Sequence, residues 1–159
     1  MDIRQLTEAD IPQIIHLGRL MHDESQYSYL HFSPDKVIAK CNDALVNPQI
    51  RCWVTIKGET ITGMMAGQVF EYEFGQSLIA SDILVFVSPE HRGGTAFLRL
   101  VKEYIEWSKS LGAELIFLNQ TTGVNQEATG KLYQRIGFDP VGGMYVMIIG
   151  KQSMRTKQC

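Results

Sequence analysis

Apolar positions along this chain change their spacing several times, and each change marks an element. Ile83 to Val87 is apolar at every position, which suits a strand buried on both faces. The turn Ser88-Pro89-Glu90-His91 follows it, and then Arg92-Gly93-Gly94-Thr95-Ala96. Beyond that, Phe97, Leu100, Val101, Tyr104, Ser108 and Leu111 recur at three- and four-residue steps, with Lys102, Glu103, Glu106 and Lys109 between them. That spacing predicts an amphipathic helix. A strand, a glycine-rich turn and a helix in this order aim free backbone N–H groups and a positive helix end at an anion.

The same reading orders the rest of the chain. Asp2–Leu6 predicts a short strand, and Thr7 with Asp10 three residues on predicts a capping box. A helix follows through Ile11, Ile14, Ile15 and Met21, with Pro12 in its first turn. The aromatic-rich segment 23–32 breaks the pattern, and Ser33-Pro34-Asp35 opens a second helix that ends by Asn47-Pro48. Arg51–Ile56 and Thr60–Glu73 read as a hairpin around Lys57-Gly58-Glu59. Gly63, Ala66 and Gly67 mark a bulge or close packing in it. Ser77–Val87 and Glu114–Leu118, joined by the central helix, imply a parallel pair. Gln126–Ile136 reads as a short helix, Asp139-Pro140 and Met144–Ile149 as the last strands, and Lys151–Cys159 as a polar tail after a single domain spanning 1–150. The fold class is therefore α/β, with a mixed sheet flanked by about four helices.

Composition narrows the partners. The 159 residues are 45% hydrophobic and 20% charged with a net charge of −2, so nothing marks a nucleic-acid or anionic-membrane surface. Cys41, Cys52 and Cys159 stand far apart, which fits a reduced, cytoplasmic protein, and no signal peptide or membrane-length apolar run is visible. Four histidines at 16, 22, 31 and 91 lack metal-ligand spacing, so no metal is expected.

The turn at 92–96 lacks the Lys-Ser or Lys-Thr of a phosphate loop, having Thr95-Ala96-Phe97, and lacks the three spaced glycines of a dinucleotide site. Val87-Ser88-Pro89-Glu90-His91-Arg92-Gly93 resembles the coenzyme A-binding segment of the GNAT superfamily of N-acetyltransferases, which continues Arg/Gln-x-x-Gly-x-Gly/Ala into a helix. Arg92-Gly93-Gly94-Thr95-Ala96 is one residue short of that pattern, so either Arg92 or His91 takes the Arg/Gln place. Leu132-Tyr133-Gln134-Arg135-Ile136-Gly137-Phe138 resembles the family's Leu-Tyr-x-x-x-Gly-Phe, and the resemblance covers roughly residues 3–150.

The resemblance implies acetyl transfer from acetyl-coenzyme A to a small-molecule or protein amine, with a homodimer as one option. It implies a splayed strand whose Phe86 and Val87 bond the pantetheine, and a pyrophosphate loop at Arg92, Gly93, Gly94, Thr95 and Ala96. An amide at Asn125 or Gln126 is placed near the coenzyme, and Tyr133 beside its sulfur as proton donor. The reference pKa of a phenol is about 10 and that of a thiol about 8.5, so such donation is chemically reasonable. For the base, Asp82 sits among apolar neighbours where an idle carboxylate would be expensive, and Glu71 and Glu73 are alternatives, as is no base at all. The acceptor side draws on the segment of His22, Glu24, Tyr27, Tyr29 and His31. Two other classes compete: a non-catalytic coenzyme A-binding module, and a nucleotide-binding module using the same loop.

Overall fold

Side-chain alternation along the central strands decides how this molecule is layered. In the computed structural model, which describes residues 1–149, Cys52 and Val54 face one side of the sheet and Trp53 the other; Met64 and Met65 divide the same way. Both faces are thus apolar, and each needs a cover. The expected tail at 151–159 lies outside the described residues.

Five strands form the sheet in chain order: β1 (Asp2–Gln5), β2 (Ile50–Lys57), β3 (Thr60–Glu71), β4 (Leu78–Val87) and β5 (Ala113–Phe117). The first three pairings are antiparallel, and β4 runs parallel to β5, as a right-sized crossover helix requires. On one face lie α1 (Ile11–Glu24) and α2 (Pro34–Val46), burying Ile11, Ile14, Leu17 and Cys41 against Cys52, Val54, Met64 and Phe86. On the other lies α3 (Ala96–Ser110), whose Leu100, Val101, Tyr104 and Trp107 meet Trp53, Met65, Val69 and Ala80. A last helix, α4 (Gln126–Arg135), brings Tyr133 to the end of this second layer.

Local chemistry explains the boundaries. The carboxylate of Asp10 accepts from the Thr7 N–H and hydroxyl, both at 2.8 Å, and is gripped by Arg4 at 2.6 and 2.8 Å. A short 3-10 turn, Glu8–Asp10, therefore precedes α1. Ser33 caps α2, its hydroxyl accepting from the Lys36 N–H at 3.3 Å, with Pro34 at the first helical position. The bulge expected in β3 falls between Ala66 and Gly67, and a Cβ at Gly67 would stand 2.6 Å from two carbons of the buried Tyr104 ring.

One expectation fails. Residues 138–149 form no strand, and Tyr145 and Met147 are fully or mostly exposed. Pro140 and the Gly142-Gly143 pair break the approach to the sheet, the first lacking a donor and the others adding backbone freedom.

Candidate active site

The site begins where two parallel strands part. β4 pairs with β5 only from Leu78 to Ser81, opposite Ala113 to Phe117, while β4 itself runs on to Val87. From Asp82 onward one edge of β4 has no strand partner and borders a cleft, where the Asp82 and Val87 carbonyls accept from the side chains of Asn119 and Arg92. Asp82 stands at the fork. Its Oδ1 accepts from both the backbone N–H and the side-chain amide of Asn119, each at 2.7 Å, and the amide also reaches the Ser81 hydroxyl at 2.9 Å. Tyr133 closes the fork from α4, its hydroxyl donating to the Asn119 carbonyl at 3.3 Å. Its ring stacks on Phe97, with centroids 6.0 Å apart.

Asp82, Asn119, Phe97 and Tyr133 line a cavity of about 250 Å³ that also takes in Phe86, Val87, Arg92, Gly93, Gly94 and Ala96. Thr95 makes no side-chain cap to α3, so the first N–H groups of that helix open on the cavity without a capping acceptor. Gly93 has φ +81°, a left-handed conformation that a side chain would resist, whereas a Cβ at Gly94 would meet nothing within 4 Å. Arg92 is already engaged: Nε donates to the Val87 carbonyl at 2.9 Å, and Nη2 to Glu24 of α1 at 2.5 Å. Its guanidinium lies 5.4 Å over the Phe86 ring. His91 points to the Ser88 hydroxyl, at 2.9 Å.

Burial dominates the electrostatics. It pushes the Asp82 carboxyl above its ordinary range, against hydrogen bonds from Asn119 that pull the other way. It raises Tyr133 too, with the Asp82 charge adding to the effect, so the phenol is neutral at pH 7 and a hydrogen-bond donor.

The structure gathers most of the residues expected from sequence. Asp82, Phe86, Val87, Arg92, Gly93, Gly94, Ala96, Asn125 and Tyr133 line one cavity. Asn125 opens α4 in a left-handed conformation (φ 46°), and Gln126 lies outside the lining, its carbonyl accepting from Gln120. Thr95 is exposed beside the cavity. Glu71 and Glu73 are exposed at the far end of the β3–β4 hairpin and line neither this cavity nor the next.

A second, larger cavity of about 710 Å³ lies between α1, α2 and the sheet, and Tyr27 lines it. The segment carrying Tyr27 is fastened across the cleft by the Gln26 N–H, which donates to the Thr122 carbonyl at 2.8 Å. Met21, Ile83, Leu84, Thr121 and Thr122 line both cavities, which therefore share a wall at the unpaired edge of β4.

Asn119 escaped the sequence reading, although a polar residue just past a parallel strand is where such sheets hold ligands. The sequence marks Glu24 only as an acceptor-side group, because its pairing with Arg92 spans 68 positions. Among the described residues no group of three or more histidine, cysteine or acidic side chains is placed to hold a metal.

Comparison with known proteins gives a consistent result. A family model described as the acetyltransferase (GNAT) family matches residues 17–138. No curated protein matches. Among solved structures, a transcriptional regulator from Bacillus halodurans C-125 superposes with a TM-score of 0.77 at 23% identity, over 92% of this chain and 98% of that one. The aminoglycoside N-acetyltransferase AAC(6')-Iy, bound to a bisubstrate analogue of coenzyme A, gives 0.72 at 16% identity over 96% and 98%. A ribosomal-protein-alanine N-acetyltransferase from Brucella melitensis biovar Abortus 2308 gives 0.68 at 16% identity over 93% and 99%. At these identities the likeness is one of fold.

Proposed function

The chain belongs to the GNAT acetyltransferase family, and on that premise we propose that it transfers acetyl from acetyl-coenzyme A to a primary amine. The amine attacks the thioester directly, with no covalent enzyme intermediate. The parting of β4 from β5 at Asp82 carries this reading, because it leaves a polar backbone edge inside a cavity that ends on an uncapped helix terminus. Such an edge offers the pantetheine amides their partners, and the N–H groups of α3 offer the pyrophosphate its own. Asp82, whose Oδ2 has no partner among the described residues, takes the proton from the ammonium of the acceptor. Raised above its usual range by burial, it is better matched to that task than an ordinary carboxylate. Tyr133 turns its hydroxyl from Asn119 to the departing sulfur. The buried thiols of Cys41 and Cys52 are free, in keeping with a cytoplasmic setting.

One observation favours the alternative of a coenzyme A-binding module without catalysis. Arg92 and Tyr133, two groups the reaction would use, are both spent on protein partners, Glu24 and Asn119. Binding is thus tested first. Coenzyme A should raise the melting temperature, since a ligand of the folded state stabilises it by mass action. Gly94→Asp has room for its side chain and keeps the fold, yet sets a carboxylate against the pyrophosphate, so the shift should vanish. A normal shift in the folded variant would remove this loop from the site.

A further inference from the structure

The larger cavity has a chemistry of its own. Leu6, Ile14, Val37, Cys41, Met64 and Leu84 give it an apolar wall, and its volume of about 710 Å³ lies in the range that encloses a small organic molecule. Its charges are lopsided. Lys36 and Lys40 stand one turn apart on α2, exposed along the lining, and neither forms an ion pair with a described residue. Asp43 is the single carboxylate among the lining residues. Glu24 belongs to the smaller cavity and is held by Arg92.

An amine bearing several positive charges gives up much hydration on binding and needs carboxylates to replace it. This cavity has one carboxylate against two ammonium groups. An apolar chain or ring fits the wall, and an anion at its far end fits the lysines. We propose that the acceptor is a primary amine on an apolar body whose opposite end carries a carboxylate. The amine sits at the shared wall by Ile83 and Leu84, where the unpaired edge of β4 begins, and the carboxylate sits between Lys36 and Lys40. This rests on the acetyl-transfer reading above and narrows it, away from the aminoglycosides named for some proteins of like fold.

A matched series isolates the far end of the acceptor: aminohexanoate, hexylamine and diaminohexane share one chain length and one reacting amine. Binding to the protein saturated with coenzyme A is measured by calorimetry, alongside thiol release from acetyl-coenzyme A. The expected order is aminohexanoate, then hexylamine, then diaminohexane. The first and last should differ about tenfold, as one or two exposed ion pairs allow. Lys36→Glu with Lys40→Glu should invert the order, and both sites are exposed enough to leave folding alone. Tightest binding of diaminohexane to the wild type, or no binding of any of the three, would overturn the inference. So would an order unmoved in a folded charge-reversed protein. Should that protein fail to fold, the wild-type order decides by itself. Binding in the expected order without thiol release would support the pocket's selectivity while contradicting transfer to this class of amine.

Discussion

Burial and hydrogen bonding pull the carboxyl of Asp82 in opposite directions, and burial is the stronger. The native state therefore keeps that proton to a higher pH than the unfolded chain does. By linkage, stability falls as pH rises from the ordinary carboxylate value through the raised one. Asp82→Asn removes this loss while its amide oxygen can still accept from Asn119, so its melting temperature at neutral pH should equal or exceed that of the wild type. Turnover should behave differently. On the proposed role of Asp82 as base, it should drop about 10²–10⁴-fold at pH 7 and recover partly in alkali, where more acceptor is already neutral. An unchanged pH–rate profile would move the proton's destination elsewhere. Asp10 is a contrasting case: Arg4 holds it at about 2, below its ordinary value, and its role is to fasten the start of α1. At this scale the sequence pointed to Asp82, an acid at the head of an apolar run, and to Tyr133, an element of a spaced motif, and the structure places both in one cavity. The sequence could not reveal Asn119 or the Glu24–Arg92 pair, because those contacts depend on which strand ends and loops the topology brings together.

Among the elements, α3 was the most legible: of its expected stripe Leu100, Val101, Tyr104 and Ser108 are buried, while Trp107, outside that stripe, is buried as well and Leu111 is exposed. Its close seating on the sheet depends on Gly67. The Tyr104 ring is fully buried and its hydroxyl donates to the Phe117 carbonyl at 3.0 Å, so it has little freedom to retreat from an added methyl. Gly67→Ala should therefore cost about 1–3 kcal/mol, an overpacking penalty, and lower the melting temperature by several degrees. A variant as stable as the wild type would mean that α3 shifts at no cost. The hairpin of β2 and β3 was legible from its turn, with Gly58 at φ +63° in the left-handed region that such turns require. Met144–Ile149 was misread because an apolar run satisfies a strand's propensity without specifying a partner. Pairing is decided by register and by the chain leading in, and here Pro140 and two glycines lead in.

Taken whole, the molecule sets two cavities against one strand: one of mixed lining ending at α3 and a more apolar one roofed by α1 and α2. The order of elements disclosed the fold, while the shared wall of the cavities depends on three-dimensional divergence of β4 and β5 that no spacing along the chain displays. Two cavities meeting at one strand edge would let the proposed substrates be held together, which is what direct attack requires. Among the described residues, no helix is long and apolar enough to cross a membrane. The proposed reaction is a one-step transfer within a complex of both substrates. Initial rates of thiol release, with acetyl-coenzyme A and an accepted amine each varied at several fixed levels of the other, test it directly. Double-reciprocal plots that intersect are predicted, because both substrates must be bound before the acetyl group moves. Parallel lines would rule out direct transfer, since they would mean that the acetyl group rests on the protein between two half-reactions.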